Sequence, residues 1–400
     1  MSTRFCPLTT RKKLKMNTTT LQINKTCADC SIKFVYTNTL LMALIFFGIS
    51  SVLVPTKVTH AGAVKWHPGH YYTIMSSGKN KSEYMDKVHR ELKATPALRG
   101  LQIRYLWAEL ETDEDVYDFT AIDQRLEELA AQQKRLIIQV QTKSFDLDWA
   151  LVPSYLKAPK YEGGVFPFSK LGNNTPRGYN IKLWNDNVRN RLVKLFRKLG
   201  ERYNSHPYFE GIGMIESALG DPTDAPMTSD QVTKFFDNLI YVHKNMRAFF
   251  PNTMTIQEMN YPRPILESVI NSFPNMGTTL SSPDLRLDDP GLSMEGNPYS
   301  PDGVYSYYSK LSGYIPMAPS VMETNYENTR EDGTGYEPTI LELLAFARDK
   351  LKANYIFWTR HPEYYYRSKI LEMLNGNTQK GTQSGGLNSA CPKTYTSCNN

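Results

Sequence analysis

Past its leader, this sequence is short of net charge. The chain carries +6, but residues 1–63 hold eight Lys and Arg against the single Asp29, a surplus of seven that leaves residues 64–400 at −1. A body without excess positive charge has no general field for phosphate backbones, which argues against a nucleic-acid partner. Cysteine is scarce as well. Of 5 Cys, only Cys391 and Cys398 lie in the body, too few to staple a fold; in an oxidising compartment they are expected to close a small loop in the tail. Phosphate cradles are missing. The first strand–helix turn, Ser76-Ser77-Gly78-Lys79-Asn80, holds no G-x-G-x-x-G, and no Walker A string occurs. His67-Pro-Gly-His70 cannot present two ligands on one helical face, and Cys27-Ala-Asp-Cys30 has nothing around it to complete a site. Neither a metal nor a cofactor is expected. Ser217 lacks the G-x-S-x-G elbow of an esterase.

A long apolar run is also absent. Residues 40–54 are uncharged and apolar, but about 15 residues fall short of the roughly 20 that a spanning helix needs. A basic stretch precedes the run and Ala61-Gly62-Ala63 follows it, which is the pattern of an export signal. Residues 1–63 are expected to be a cleaved signal peptide or, if uncleaved, an N-terminal anchor. The body is then secreted or periplasmic, or held to a membrane through the leader alone.

What the body does have is a regular alternation. With 40% hydrophobic and 22% charged residues, it can build a sizeable core. Short β-rich runs at 70–75, 101–106, 135–140, 209–215, 253–258, 278–282, 318–323 and 354–358 alternate with helical periodicity at 81–95, 121–133, 183–204, 229–250, 265–272, 305–314, 339–352 and 365–375. Eight such units predict a (β/α)8 TIM barrel with enlarged loops over residues 64–376, followed by a flexible tail at 377–400. A polar insertion at 142–179 is expected to shape the binding cleft.

Barrel chemistry sits at the C-terminal ends of strands. The fourth run ends in Ile215-Glu216 and the seventh in Met322-Glu323. A glutamate finishing an apolar strand is costly to desolvate without a partner or a task. Across a barrel mouth, two such groups form the carboxylate pair that works on a glycosidic bond. Glu258, ending the fifth run, is a reserve carboxylate. Arg104, Gln141, Asn260, Tyr261, Asp284, Asn325, Trp358 and His361 are further candidates at the strand ends, with Trp358 offering a stacking face to a sugar.

Trp107-Ala-Glu-Leu-Glu111, Val116-Tyr-Asp-Phe119 and Ile122-Asp123 together resemble the second-strand passage of clan A glycoside hydrolases, the family 42 β-galactosidase type above all. Trp184-Asn-Asp-Asn187, Tyr203-Asn-Ser-His-Pro207 and Phe209-Glu-Gly-Ile-Gly213 resemble the clan's run into its fourth strand. The resemblance implies a retaining glycosidase with a carbohydrate substrate, Glu216 as acid/base and Glu323 as nucleophile. It further implies Arg104 beside the nucleophile, and Trp107 and Trp358 at the sugar. One departure is plain: Ile215 stands where the clan has an Asn, and Asn260 or Asn325 would have to supply that amide. A non-catalytic carbohydrate-binding barrel, or a degenerate glycosidase, is the alternative.

Overall fold

The computed structural model describes residues 61–400, apart from 76–77, 171–172, 297–299, 377–378 and 380–381. The expectations for the leader and its cysteines lie outside the described residues.

Eight strands form one parallel sheet: β1 Gly69–Ile74, β2 Leu98–Leu106, β3 Arg135–Gln141, β4 Phe209–Met214, β5 Met254–Glu258, β6 Thr278–Ser281, β7 Ser320–Val321 and β8 Tyr355–Thr359. The main helices between and after them are α1 Ser82–Ala94, α2 Thr120–Ala130, α3 Asp186–Tyr203, α4 Ser229–Phe249, α5 Arg263–Ile270, α6 Tyr305–Leu311, α7 Ile340–Ala345 and α8 Tyr364–Asn375. Neighbouring strands follow chain order from β1 to β6, while β8 pairs with both β1 and β7. The remaining seam, β6 against β7, is closed by backbone hydrogen bonds from Leu280 N to Pro316 O (3.0 Å), Ala318 N to Leu280 O (2.9 Å) and Ser320 N to Ser282 O (2.8 Å). The sheet therefore closes into the (β/α)8 barrel that the alternation predicts.

Local chemistry explains the elements. In α1 the buried residues Met85, Val88 and Leu92 recur at helical spacing and face the sheet. The Asn185 side chain caps α3 by accepting from Asn187 N and Val188 N, and Thr228 with Gln231 forms a capping box at α4. Strand side chains alternate between the barrel interior and the helices. Tyr71, Ile137, Met254, Ile256, Tyr355 and Phe357 fill the lower interior, whereas Tyr72, Ile138 and Trp358 pack outward. Above the apolar layer the inward positions turn polar. Thr73 donates to Gln102 (2.7 Å), Arg104 Nε donates to Gln139 Oε1 (3.0 Å), and Ser320 Oγ donates to Glu258 Oε1 (3.3 Å).

The lower end is covered by a two-stranded parallel ribbon, in which Ala61–Lys65 pairs with Tyr395–Asn399. Val64, Trp66 and Tyr395 join the lower interior cluster, and a Cys391–Cys398 disulfide closes the tail loop with Cα atoms 5.7 Å apart. This differs from the flexible tail expected from composition. Gly, Ser and Thr dominate that segment, but one buried aromatic and a strand partner anchor its end. Among the described residues no helix is long and apolar enough to cross a membrane.

Candidate active site

At the C-terminal ends of the strands lies a cleft of about 1140 Å³. Its floor carries Arg104, Glu216, Glu258 and Asp284. The 142–179 insertion supplies one wall, with Phe145, Phe168, Lys170 and Arg177, as its composition suggested; Tyr261 and Arg263 line the cleft after β5. The insertion can do this because Val165–Ser169 and Gly178–Ile181 form a hairpin, to which Asp221–Pro222 adds a third strand.

Glu216 follows β4 by two residues. Lys143 Nζ donates to its Oε1 at 2.7 Å and Asn260 Nδ2 to its Oε2 at 2.8 Å. Lys143 is itself held by Ala218 O (2.8 Å) and lies over the Phe168 ring, 4.3 Å from the centroid. Both oxygens of Glu216 thus accept from a fixed donor. Asn260, one of the two residues expected to stand in for the amide missing at Ile215, donates here to Glu216, and Ile215 lines the cleft beside it.

Glu258 ends β5 facing inward and is fully buried. Arg104 Nη2 lies 3.4 Å from both of its oxygens. Burial raises its pKa, and the Arg104 charge offsets that only in part. Asp284 lies three residues past β6. Its Oδ1 accepts from Asn325 Nδ2 at 3.0 Å, with Arg286 Nε 3.9 Å away. Its side chain is 27% exposed, opening to the cleft. Burial among protein atoms raises its pKa to about 6, and Glu216 adds repulsion. The charge of Glu216 acts in the same direction on Glu258, so Glu216 opposes ionisation of both other floor carboxylates.

Several of the remaining sequence candidates lie outside the cleft lining. Glu323 is not brought to Glu216. It begins a short helix, Glu323–Glu327, with an exposed side chain outside the cleft lining. The cause is strand phase: Ser320 faces inward, Val321 packs outward, and Met322 takes the next inward place, its sulfur 3.5 Å from Thr359 Oγ1. Trp358 fails to reach the cleft for the same reason, since it packs among the helices and donates Nε1–H to His70 Nδ1 (3.0 Å). Trp107 is fully buried and donates to Glu111 Oε2 (2.8 Å), which ties the second-strand motif to structure. Gln141 is buried with its amide on Lys143 O (3.0 Å), and His361 is buried against Tyr326 and Tyr366. Asn325 donates to Asp284 and accepts from Leu285 N and Met322 N. Arg104, Asn260 and Tyr261 do line the cleft.

Sequence reading missed Lys143 and Arg286 and took Asp284 only as a further candidate, because all three sit in loops past strand ends. It also missed Glu210, at the opposite end of β4. That carboxylate is fully buried and accepts from His67 N (2.7 Å), His67 Nδ1 (2.8 Å) and Tyr355 OH (2.7 Å). Burial would raise its pKa, but those hydrogen bonds and the charges of His67 and Arg135 hold it at about 2.

No protein-family model matches the sequence, and no curated protein does. Solved structures do match. A β-galactosidase from Bacillus circulans sp. alkalophilus, 12% identical, superposes with a TM-score of 0.51 over 74% of this chain and 50% of its own. The catalytic domain of a β-amylase from Paenibacillus polymyxa, 9% identical, superposes with a TM-score of 0.51 over 78% of this chain and all of that domain. The chain spans about half the length of the β-galactosidase that it matches. At such identities the likeness concerns the fold, and the fold of this protein is the (β/α)8 barrel seen in these glycoside hydrolases.

Proposed function

We propose that the protein hydrolyses glycosidic bonds in the cleft at the C-terminal end of the barrel, with Glu216 as one of two working carboxylates. The observation that carries this reading is a cleft floored by Glu216, Glu258 and Asp284 in a barrel with glycosidase neighbours. Three carboxylates in one recess are expensive to hold, because Glu216 disfavours ionisation of both Glu258 and Asp284. Such clusters mark acid–base chemistry rather than stability. The reaction we propose is the retaining double displacement, in which one carboxylate bonds the anomeric carbon and another carries the proton. The sugar-facing apolar surface would come from Phe145 and Tyr261 rather than from Trp107 or Trp358. Phe145 is 44% exposed at the wall.

Export is part of the proposal. The leader at residues 1–63 has signal character, and the Cys391–Cys398 pair suits an oxidising compartment. An uncleaved leader would anchor the barrel instead, and the N-terminal mass of the exported protein distinguishes the two.

A second reading, a barrel that binds carbohydrate without cleaving it, is favoured by Glu323, the glutamate that the resemblance makes the nucleophile, beginning a short helix outside the cleft lining while Met322 lines the cleft. Incubating the purified protein with a polysaccharide panel and reading new reducing ends separates them. Hydrolysis by the wild type and none by Glu216→Gln supports catalysis; tight binding without new ends in either supports the binding module.

A further inference from the structure

We propose that the cleft takes an anionic glycan, one that carries carboxylate or sulfate groups, and that Arg177 and Arg263 read that charge on either side of Glu216. This rests on the glycosidase reading and names the substrate class within it.

The basic side chains that line the cleft divide in two. Arg104, Lys143 and Lys170 are engaged, with Arg104 Nη2 3.4 Å from Glu258, Lys143 Nζ 2.7 Å from Glu216 and Lys170 Nζ 4.0 Å from Glu331. Arg177 and Arg263 make no ion pair among the described residues. Residues 64–400 carry −1 overall, so these free cations are not the overflow of a basic surface.

Each arginine is held by a contact that leaves its charge unanswered. Arg177 sits at the hairpin, where its backbone N donates to Phe168 O at 2.9 Å, and its guanidinium lies over the Phe145 ring, 5.2 Å from the centroid. A guanidinium over a ring keeps in-plane N–H donors for a two-pronged grip on a carboxylate or sulfate. Arg263 begins α5, half-buried, and donates Nη1–H to the Met294 sulfur at 2.7 Å. A thioether is a weak acceptor and neutralises nothing.

Their placement follows barrel order. Arg177 comes from the insertion after β3, Glu216 follows β4, and Arg263 follows β5, so the two cations bracket the working glutamate. The floor carboxylates repel an anion at the reacting bond itself, whereas charges on flanking sugar units meet the arginines. Asp221, paired with Ser169 in the hairpin sheet, also faces the cleft without an ion pair among the described residues. The unpaired groups of the lining therefore keep one positive charge in excess.

The test uses the full chain and matched polysaccharides: uronate-bearing polymers, sulfated polymers, and the neutral forms made from them by carboxyl reduction or desulfation. Binding and new reducing ends are both read. A charged polymer should be cleaved with kcat/KM at least about tenfold above its neutral form. Loss on carboxyl reduction identifies the carboxylate as the group read, and loss on desulfation identifies the sulfate. Arg177→Gln and Arg263→Gln should each weaken use of that polymer about threefold and together about tenfold, in KM rather than kcat. Raising salt from about 0.05 to about 0.5 M should bring wild type down to the double variant. Equal cleavage of charged and neutral forms, or a charge preference that survives in the double variant, would overturn the assignment while leaving hydrolysis in place. Binding of a charged polymer that the double variant loses, with no new ends from any polymer, would support the charge reading and overturn hydrolysis. Neither binding nor cleavage of any polymer would overturn both.

Discussion

Strand β4 carries a glutamate at each end, and the two live in opposite surroundings. Glu210, at the lower end, is fully buried, yet four groups favour its charge: His67 twice over, Tyr355, and Arg135 at 4.0 Å. The Ala61–Lys65 and Tyr395–Asn399 ribbon closes that end over Trp66. Glu216, at the upper end, faces an open cleft and two further carboxylates, one of them, Asp284, pushed up to about 6. Both accept hydrogen bonds at both oxygens, but only Glu210 is sealed from solvent with no second carboxylate beside it, and such a group supports the fold. A crowded one costs stability and can do chemistry.

The sharpest way to break that contrast is substitution at each end of β4. Glu216→Gln should cut turnover by more than about a thousandfold, because a working carboxylate is lost and its shape is kept, and should cost only about 1 kcal/mol in urea unfolding, since the amide oxygen still accepts from Lys143. Glu210→Ala should do the reverse. It leaves His67 and Arg135 without their buried partner and should cost about 3–5 kcal/mol in urea unfolding, with the folded fraction still active. Asp284→Asn should raise stability at pH 7 by about 2 kcal/mol, since it removes a carboxylate that folding holds at about 6 instead of 3.8.

The pH dependence has opposite signs at the two ends. Glu210 has a depressed pKa, so its contribution is present above about 4.5 and is lost as pH falls toward about 2. Asp284 has a raised pKa, so its penalty appears as pH rises from about 3.8 and is complete above about 6. Unfolding free energies of wild type and Asp284→Asn should therefore converge below pH 4 and diverge above it. The smallest effect expected is at Asn260. Asn260→Ala frees one oxygen of Glu216 and should lower kcat about tenfold with little change in KM.

Much of this was legible in the sequence, and the limits have a physical cause. β3 is a largely apolar run, β5 ends in Glu258 and Glu216 follows β4 by two residues, so both glutamates could be found by counting. β7 is two residues long, Ser320–Val321, and a run that short fixes its phase only through its neighbours. One residue of phase decides whether Met322 or Glu323 meets the cleft. Trp358 fails in the same way, between the inward Phe357 and the outward shell. Lys143 and Asp284 belong to loops, where periodicity gives no direction. The buried pair His67–Glu210 was hidden because its partners lie 143 residues apart.

The most direct measurement sets Glu216→Gln beside Glu323→Gln on whichever glycan the wild type cleaves. Glu323 is exposed at a helix start and outside the cleft, so Glu323→Gln should keep its rate within about twofold, while Glu216→Gln falls by more than about a thousandfold. Loss of turnover in Glu323→Gln, with its fold and stability unchanged, would show that the seventh-strand glutamate reaches the substrate and would contradict the cleft described here.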